Sequence, residues 1–444
     1  MKKYLFLFFL FFLFSCVSTK DVKEPEFSKE FSKFNMPLKY KQDIRILADF
    51  KPSIVETSAK SYKQYFFYAW NAKIGKIKAK DVFWSFNGYL SKEYYFFNKQ
   101  PIPRSFFEEA IENANSKDFL RLKQKALITK TTYLKNLPTN TPILLNPHKQ
   151  GEGLPFDYAL DSVLNVGTPV LISHFSKDRH YAFVRAESGW GFVLSADLEK
   201  FTDQRAKSYQ NLNFITPLKE KTPVYDLNGN FAFETRIGAI YPYYDLSGGF
   251  YFGKIGSIKY KIPQNQVEKF PLKFSNEAFK RQMSQLINLP YGWGGYDYQR
   301  DCSLLTRDLF APFGLYLPRN SYAQSVFWQR FDIKDLSDEE KLSFIKNYAK
   351  PYETLLYLKG HIMLYVGTVG GENVAFHSIW GIRSEDDGRL LIAKSALTSL
   401  DIGKNDKRVK KEDLILTRLE AISILNINPK EKQSIQEALS TKSF

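Results

Sequence analysis

Three textures of apolar and polar positions follow one another along the chain. Up to about residue 150 the signals are mixed, and the stretch reads as mainly helical. The stretch 62–70 is dense in aromatic rings, Ser105 followed by Glu108 reads as a capping box, and a further helix is expected over 117–130. From 151 to 263 the pattern shortens to β-rich runs separated by turn residues roughly every eight to twelve positions, as in small barrels. Thr168-Pro169-Val170 and Thr222-Pro223-Val224 echo each other and suggest two tandem barrels, over 151–207 and 212–263. Beyond 270 the helical period returns. An amphipathic helix over 274–289 carries Phe279, Met283, Leu286 and Ile287 on its apolar side and stops at Pro290. A loop rich in Gly and aromatic residues follows, then a helix opening at Cys302 with Leu304, Leu305, Leu309 and Phe310 at helical spacing. The runs 361–367 and 373–381 read as strands joined at Gly370-Gly371. Past Lys404 come Lys407, Arg408, Lys410 and Lys411, then a final amphipathic segment read as a solvated helix. The fold class expected is multidomain α+β: a mainly helical region over 35–150, two small barrels, and an α+β domain over 270–444 with a basic tail.

The first residues change the picture. Lys2 and Lys3 precede an unbroken apolar run over 4–14, then Ser15 and Cys16. That is a secretory signal, too short to span a bilayer. The polar stretch 17–34 reads as a tether. Lys+Arg 63 against Asp+Glu 47 leaves a net charge of +16, which suits nucleic acid, anionic lipid or a carboxylate-rich wall polymer. Export argues against nucleic acid.

Export also makes Cys302 the single thiol of the mature body, because the other cysteine is Cys16. Asp301 is placed to cap the helix that Cys302 opens, and a helix N-terminus lowers a thiol's pKa. The alternative is an inert buried cysteine. Of five histidines, His174 and His180 flank a turn and read as surface residues, whereas His361 and His377 lie on the two adjacent strands. The loop length decides whether the two rings meet. A two-residue Gly370-Gly371 loop pairs His361 with Trp380 and sends His377 to the other face. An odd loop centred on Gly370 pairs His361 with Ile379 and His377 with Met363, and sets both rings on one face. The second register is expected, since it supplies a thiol with a base and the base with an orienting partner. A zinc site from Cys302, His361 and His377 would need Asp301 as its fourth ligand, and adjacent ligands make poor tetrahedra.

Taken together, Tyr291-Gly292-Trp293-Gly294-Gly295, Asp301-Cys302-Ser303, His361-Ile362-Met363-Leu364-Tyr365 and the later His377 resemble the NlpC family of papain-like bacterial cell-wall cysteine peptidases. Gly189-Trp190-Gly191-Phe192-Val193 resembles a strand of bacterial SH3-like domains, and the helical region followed by two such barrels resembles one branch of that family. Leu13-Phe14-Ser15-Cys16 resembles a lipobox, which implies lipidation of Cys16; a plain signal peptide is the alternative. Val17 after it implies the outer membrane of a two-membrane bacterium. The resemblance implies Cys302 as nucleophile, His361 as base and His377 as the third residue, with no cofactor. It puts Tyr291 by the oxyanion and lines the pocket with Trp293, Asp301, Ser303 and Ser321, with Asp157 a guess from the first barrel. Leu304 and Met363 stand where many members carry smaller residues. The implied substrate is the peptidoglycan stem peptide or its fragments, cut between D-γ-glutamate and the diamino acid, with a free N-terminal L-Ala preferred and held by Asp301. A wall-binding lipoprotein with a dead site, and an acyltransferase or lipid-directed enzyme on the same scaffold, remain as other readings.

Overall fold

The helical region is built from short pieces and stays helical only where it packs. The computed structural model describes residues 34–53 and 57–444, and 36–444 fall into one unit. The signal segment, Cys16 and all but the last residue of the tether lie outside the described residues. Helix α1 (Ala59–Phe66) is capped by Ser58, and the aromatics that follow it wedge between the two barrels. There the Trp70 indole N–H donates to the Ala126 and Val170 carbonyls at 3.1 and 2.9 Å. Helix α2 (Arg104–Asn113) starts two residues earlier than a Ser105 cap would place it, with Pro103 at the N-cap. No side chain caps it, and Glu108 instead accepts from Arg104 at 2.8 Å.

The expected helix over 117–130 is a strand, Gln124–Ile128, and the first barrel therefore starts there rather than at 151. Leu120 and Lys123 adopt positive φ, which ends helical propagation, and the strand pairs with Pro169–Phe175 and Leu198–Lys200. A long excursion over 136–159 then separates it from the strands whose texture was legible. Each barrel has seven strands, over 124–200 and 213–269. Counted within each barrel, both sheets run 3-2-6-5-4-1-7. The Thr-Pro-Val echo is a coincidence, for Pro169 opens the fourth strand of its barrel and Pro223 the second of its own. Strand β1 (Leu160–Leu164) of the first barrel faces the C-terminal domain.

That domain packs helices on both faces of one sheet. Helices α3 (Asn276–Leu286), α4 (Cys302–Phe310) and α5 (Ser321–Ser325) precede β2 (Gln329–Asp332), α6 (Asp338–Tyr348), β3 (Thr354–Leu358), β4 (His361–Val369), β5 (Glu372–Arg383) and β6 (Arg389–Ser399). Strand β7 (Leu419–Ile424) and helix α7 (Pro429–Thr441) follow, and the sheet order is β2-β7-β3-β4-β5-β6. The basic tail is thus no solvated appendage: it carries an interior strand, and α7 buries Ile435 and Ala438. One core holds Cys302, Leu305 and Leu309 against Ile362, Leu364 and Phe376; the other holds Phe344 and Ile435 against Met363 and Ala375.

Candidate active site

Helix α4 begins where two barrels meet the sheet. Asp301 is its N-cap and accepts from the Leu304 N–H at 2.9 Å, as the capping pattern predicts. Except for Arg307, every residue of α4 is buried, so the helix cannot shift without breaking a core. The preceding loop is pinned from two sides. At Gly294 and Gly295 φ is 62° and 96°, and a Cβ there would meet the Leu160 carbonyl at 2.5 Å and Val163 at 2.8 Å. From the second barrel, Arg236 donates to the Tyr298 and Gln299 carbonyls, and Glu220 pairs with Arg300 at 2.8 Å. Arg300 also reaches Asp308 on α4 at 2.7 Å. Both barrels therefore hold the approach to Cys302.

The two histidines meet: His361 Nε2 and His377 Nδ1 are 2.8 Å apart, and His377 Nε2 lies 2.9 Å from the Thr398 hydroxyl. The reason differs from the one expected. Val369 pairs with Glu372 across a two-residue Gly370-Gly371 turn, the register that alone would have separated the rings. A bulge corrects it: Val366 and Gly367, the latter at φ 95°, together face Val374, so Tyr365 pairs with Ala375 and Leu364 with Phe376. Because His361 spends Nε2 on His377, Nδ1 is the nitrogen left for chemistry. If each ring carries its proton on Nε2, the chain His361 to His377 to Thr398 donates in one direction throughout.

Cys302 is buried, and the backbone N–H of Ile362, one residue from His361, acts on its sulfur. Burial first, and the Asp301 charge second, push the thiol up to about 12, against the lowering that the helix N-terminus alone suggested. Burial pushes His361 down to about 4, and His377 is driven well below its usual range by burial and by His361. In the closed site the neutral thiol and imidazole are favoured over the ion pair. The half-buried Tyr291 hydroxyl is held well above its usual range by burial and by Cys302 and Asp301 nearby, so it remains a proton donor.

Burying neutral imidazoles ties stability to pH. Below the unfolded value near 6.5 the unfolded chain binds protons that the folded rings refuse down to about 4, so stability falls as pH drops through that window. Thermal melts from pH 7.5 to 4.5 should show it, with a shallower decline in His377→Asn. An unchanged slope in that variant would contradict neutral burial.

Asp301 does not stand free. Its carboxylate takes a two-point pair from Arg319, at 2.6 and 3.0 Å, and the Gly294 N–H at 3.0 Å. Arg319 also donates to Ser303 Oγ at 2.8 Å and, across to β1, to Ser162 Oγ at 3.0 Å. The sequence reading stopped two residues further on, at Ser321, which opens α5 beside its Asn320 cap; the nearby cation was missed. A buried carboxylate at 301 was the available signal, since such a group needs a partner. Trp293 is partly exposed, with Phe156 5.4 Å from its ring. Asp157 is not a cleft residue: buried, it pairs with Lys135 at 2.9 Å and accepts the Ile143 and Ala159 N–H groups. His174 is likewise buried, between Ser173 and the Ala114 carbonyl, whereas His180 is exposed. Among the described residues no three His, Cys, Asp or Glu converge to hold a metal ion.

Four family models match the chain in succession: the NLPC_P60 stabilising domain over 5–119, an SH3 domain of SH3b1 type over 142–194, one of SH3b2 type over 203–247, and the NlpC/P60 family over 288–385. The chain belongs to the NlpC/P60 family. Membership makes it a cysteine peptidase of the cell-wall endopeptidase class. No curated protein matches it. An NlpC/P60 endopeptidase from Photobacterium damselae subsp. piscicida is similar in fold, at 22% identity and a TM-score of 0.76, over 88% of this chain and 98% of that one. An NlpC/P60 family protein from Bacillus cereus, at 14% identity and a TM-score of 0.47, covers 67% of this chain and 98% of its own. The NlpC/P60 match includes Cys302, His361 and His377; the first SH3 match falls within the first seven-stranded sheet, and the second covers the helix Asp203–Gln210 and the first half of the second sheet.

Proposed function

We propose that this NlpC/P60 protein hydrolyses the D-γ-glutamyl–diamino acid bond of peptidoglycan stem peptides, with a free N-terminal L-Ala preferred. The observation that carries the reading is the His361–His377 contact at 2.8 Å beside the start of the Cys302 helix. As Cys302 Sγ attacks the scissile carbonyl, its proton passes to His361 Nδ1, so charge separates only along the reaction path. His377 fixes the ring and spreads the new positive charge toward Thr398. The Tyr291 hydroxyl and the backbone N–H groups at the start of α4 stabilise the oxyanion. His361 then protonates the departing amine, and water releases the acyl-enzyme. Export and anchoring through Cys16, on the outer membrane facing the periplasm, belong to the same proposal.

Arg319 neutralises Asp301, so a substrate ammonium needs a further anion. Asp161 on β1 supplies it: its side chain is exposed beside Ser162 and within the field of Arg319. Its surface is open to solvent, but the protein crowded around it desolvates the carboxyl and pushes it up to about 6, with Arg319 opposing and Asp157 adding to the rise. Protonation below that value removes the anion. With L-Ala-γ-D-Glu-diaminopimelate, KM should rise as pH falls below about 6. Asp161→Asn should raise KM at pH 7.5 with kcat little changed, and neither change should touch an N-acetylated tripeptide. Equal cleavage of free and acetylated substrates would refute the L-Ala preference.

A further inference from the structure

A small cavity in the first barrel lies on the far side of the loop that leads to Cys302. Its volume is 140 Å³, and its walls include Tyr133, Tyr181, Tyr298 and Asp197, with Lys130 at the rim. Asp197 is 7% exposed, and among the described residues its carboxylate has neither a hydrogen bond nor an ion pair. A carboxylate so largely enclosed, with its oxygens reached only through the cavity, favours a cation there. Lys135 also lines the cavity, but its ammonium is already committed to the buried Asp157 at 2.9 Å and to the Thr141 carbonyl at 2.9 Å, so it leaves the Asp197 carboxylate without a cation. Lys130 at the rim is exposed and, among the described residues, makes no ion pair.

The chemistry of the walls is selective. The Asp197 charge acts on the Tyr298 phenol, so carboxylate and phenol share one space. Tyr133 stacks on Tyr298 with ring centres 5.0 Å apart, and its hydroxyl accepts the Asp297 N–H at 3.1 Å, which fixes that wall. At about 30 Å³ per water, the volume admits roughly five non-hydrogen atoms. We infer that the cavity is a binding site for a primary ammonium on a short alkyl arm, received by the Asp197 carboxylate and the surrounding phenol oxygens. The side-chain amine of a diamino acid in a wall peptide has that chemistry. The site contains none of the residues assigned to peptide hydrolysis, and the inference stands apart from that reaction.

Calorimetric titration of the full-length protein with Nα-acetyl-lysine methylamide and its norleucine counterpart tests this. Neither probe carries a γ-glutamyl bond, so the result is independent of peptidase activity. The lysine probe should bind at least tenfold more tightly than the norleucine one, and Asp197→Asn should remove the difference. Lys130→Glu, at an exposed rim position that puts folding at little risk, should strengthen lysine binding several-fold. Equal binding of the two probes, no binding of either at millimolar concentration, or an affinity unmoved by both substitutions would overturn the site. Displacement of the probe by potassium chloride with no effect of matched choline chloride would overturn it too, by making the site one for an inorganic cation.

Discussion

His361→Ala is expected to lower kcat/KM on the tripeptide by about a thousandfold or more, the scale of a lost general base. The neutral resting pair makes this loss large. With the thiol pushed up to about 12, almost no thiolate exists at pH 7 without a base to take the proton during attack. A site that kept a preformed thiolate would lose less. His377 should separate from His361 in kind. His377→Asn keeps a polar partner for His361 Nε2 and should retain more activity than His377→Ala, which leaves a cavity and an unanchored ring. Single-turnover rates and KM, measured for all three, distinguish a lost base from lost binding.

The second large effect belongs to Arg319. Arg319→Met should cost about 3–5 kcal/mol of stability, since it strands the Asp301 carboxylate with its remaining backbone and hydroxyl donors. Asp301 and Arg319 side chains are each 11% exposed, too enclosed for water to replace the guanidinium. The stranded charge also lies beside Cys302 and opposes its ionisation, so kcat/KM should fall by about a hundredfold as well. Arg319→Lys keeps the charge but loses the two-point geometry and the reach to Ser303 and Ser162, and should fall between. Urea midpoints and kinetics on the same preparations check both parts. A full-strength Arg319→Met enzyme would show that Asp301 needs no partner.

Local signals were legible where one residue or one period decides the outcome. Asp301 as a cap, the helix from Cys302, and the helix over Asn276–Leu286 all follow from neighbours in sequence. The meeting of His361 and His377 was foreseen, yet the turn assumed for it was not the one found. Nothing in a run of strand-forming residues announces that Val366-Gly367 bulges; Gly367 was the only hint. What failed is what depends on distant partners. Gln124–Ile128 and Leu419–Ile424 are strands because other strands flank them, not through their own patterning. Asp157 and Asp161 are near neighbours in sequence, but pairing with Lys135 removes the first and the outward face of β1 presents the second. Thiol acidity reversed for the same reason: the helix end was visible in sequence, and the burial that outweighs it was not.

One sulfur and two linked imidazoles are expected to cut the D-γ-glutamyl–diamino acid bond. Release of free diaminopimelate from L-Ala-γ-D-Glu-diaminopimelate by the purified full-length protein measures this. Wild type should release it stoichiometrically with the L-Ala-D-Glu dipeptide, and Cys302→Ala, folded to the same melting temperature, should release none. Absence of release by wild type, or equal release by both, would contradict the account.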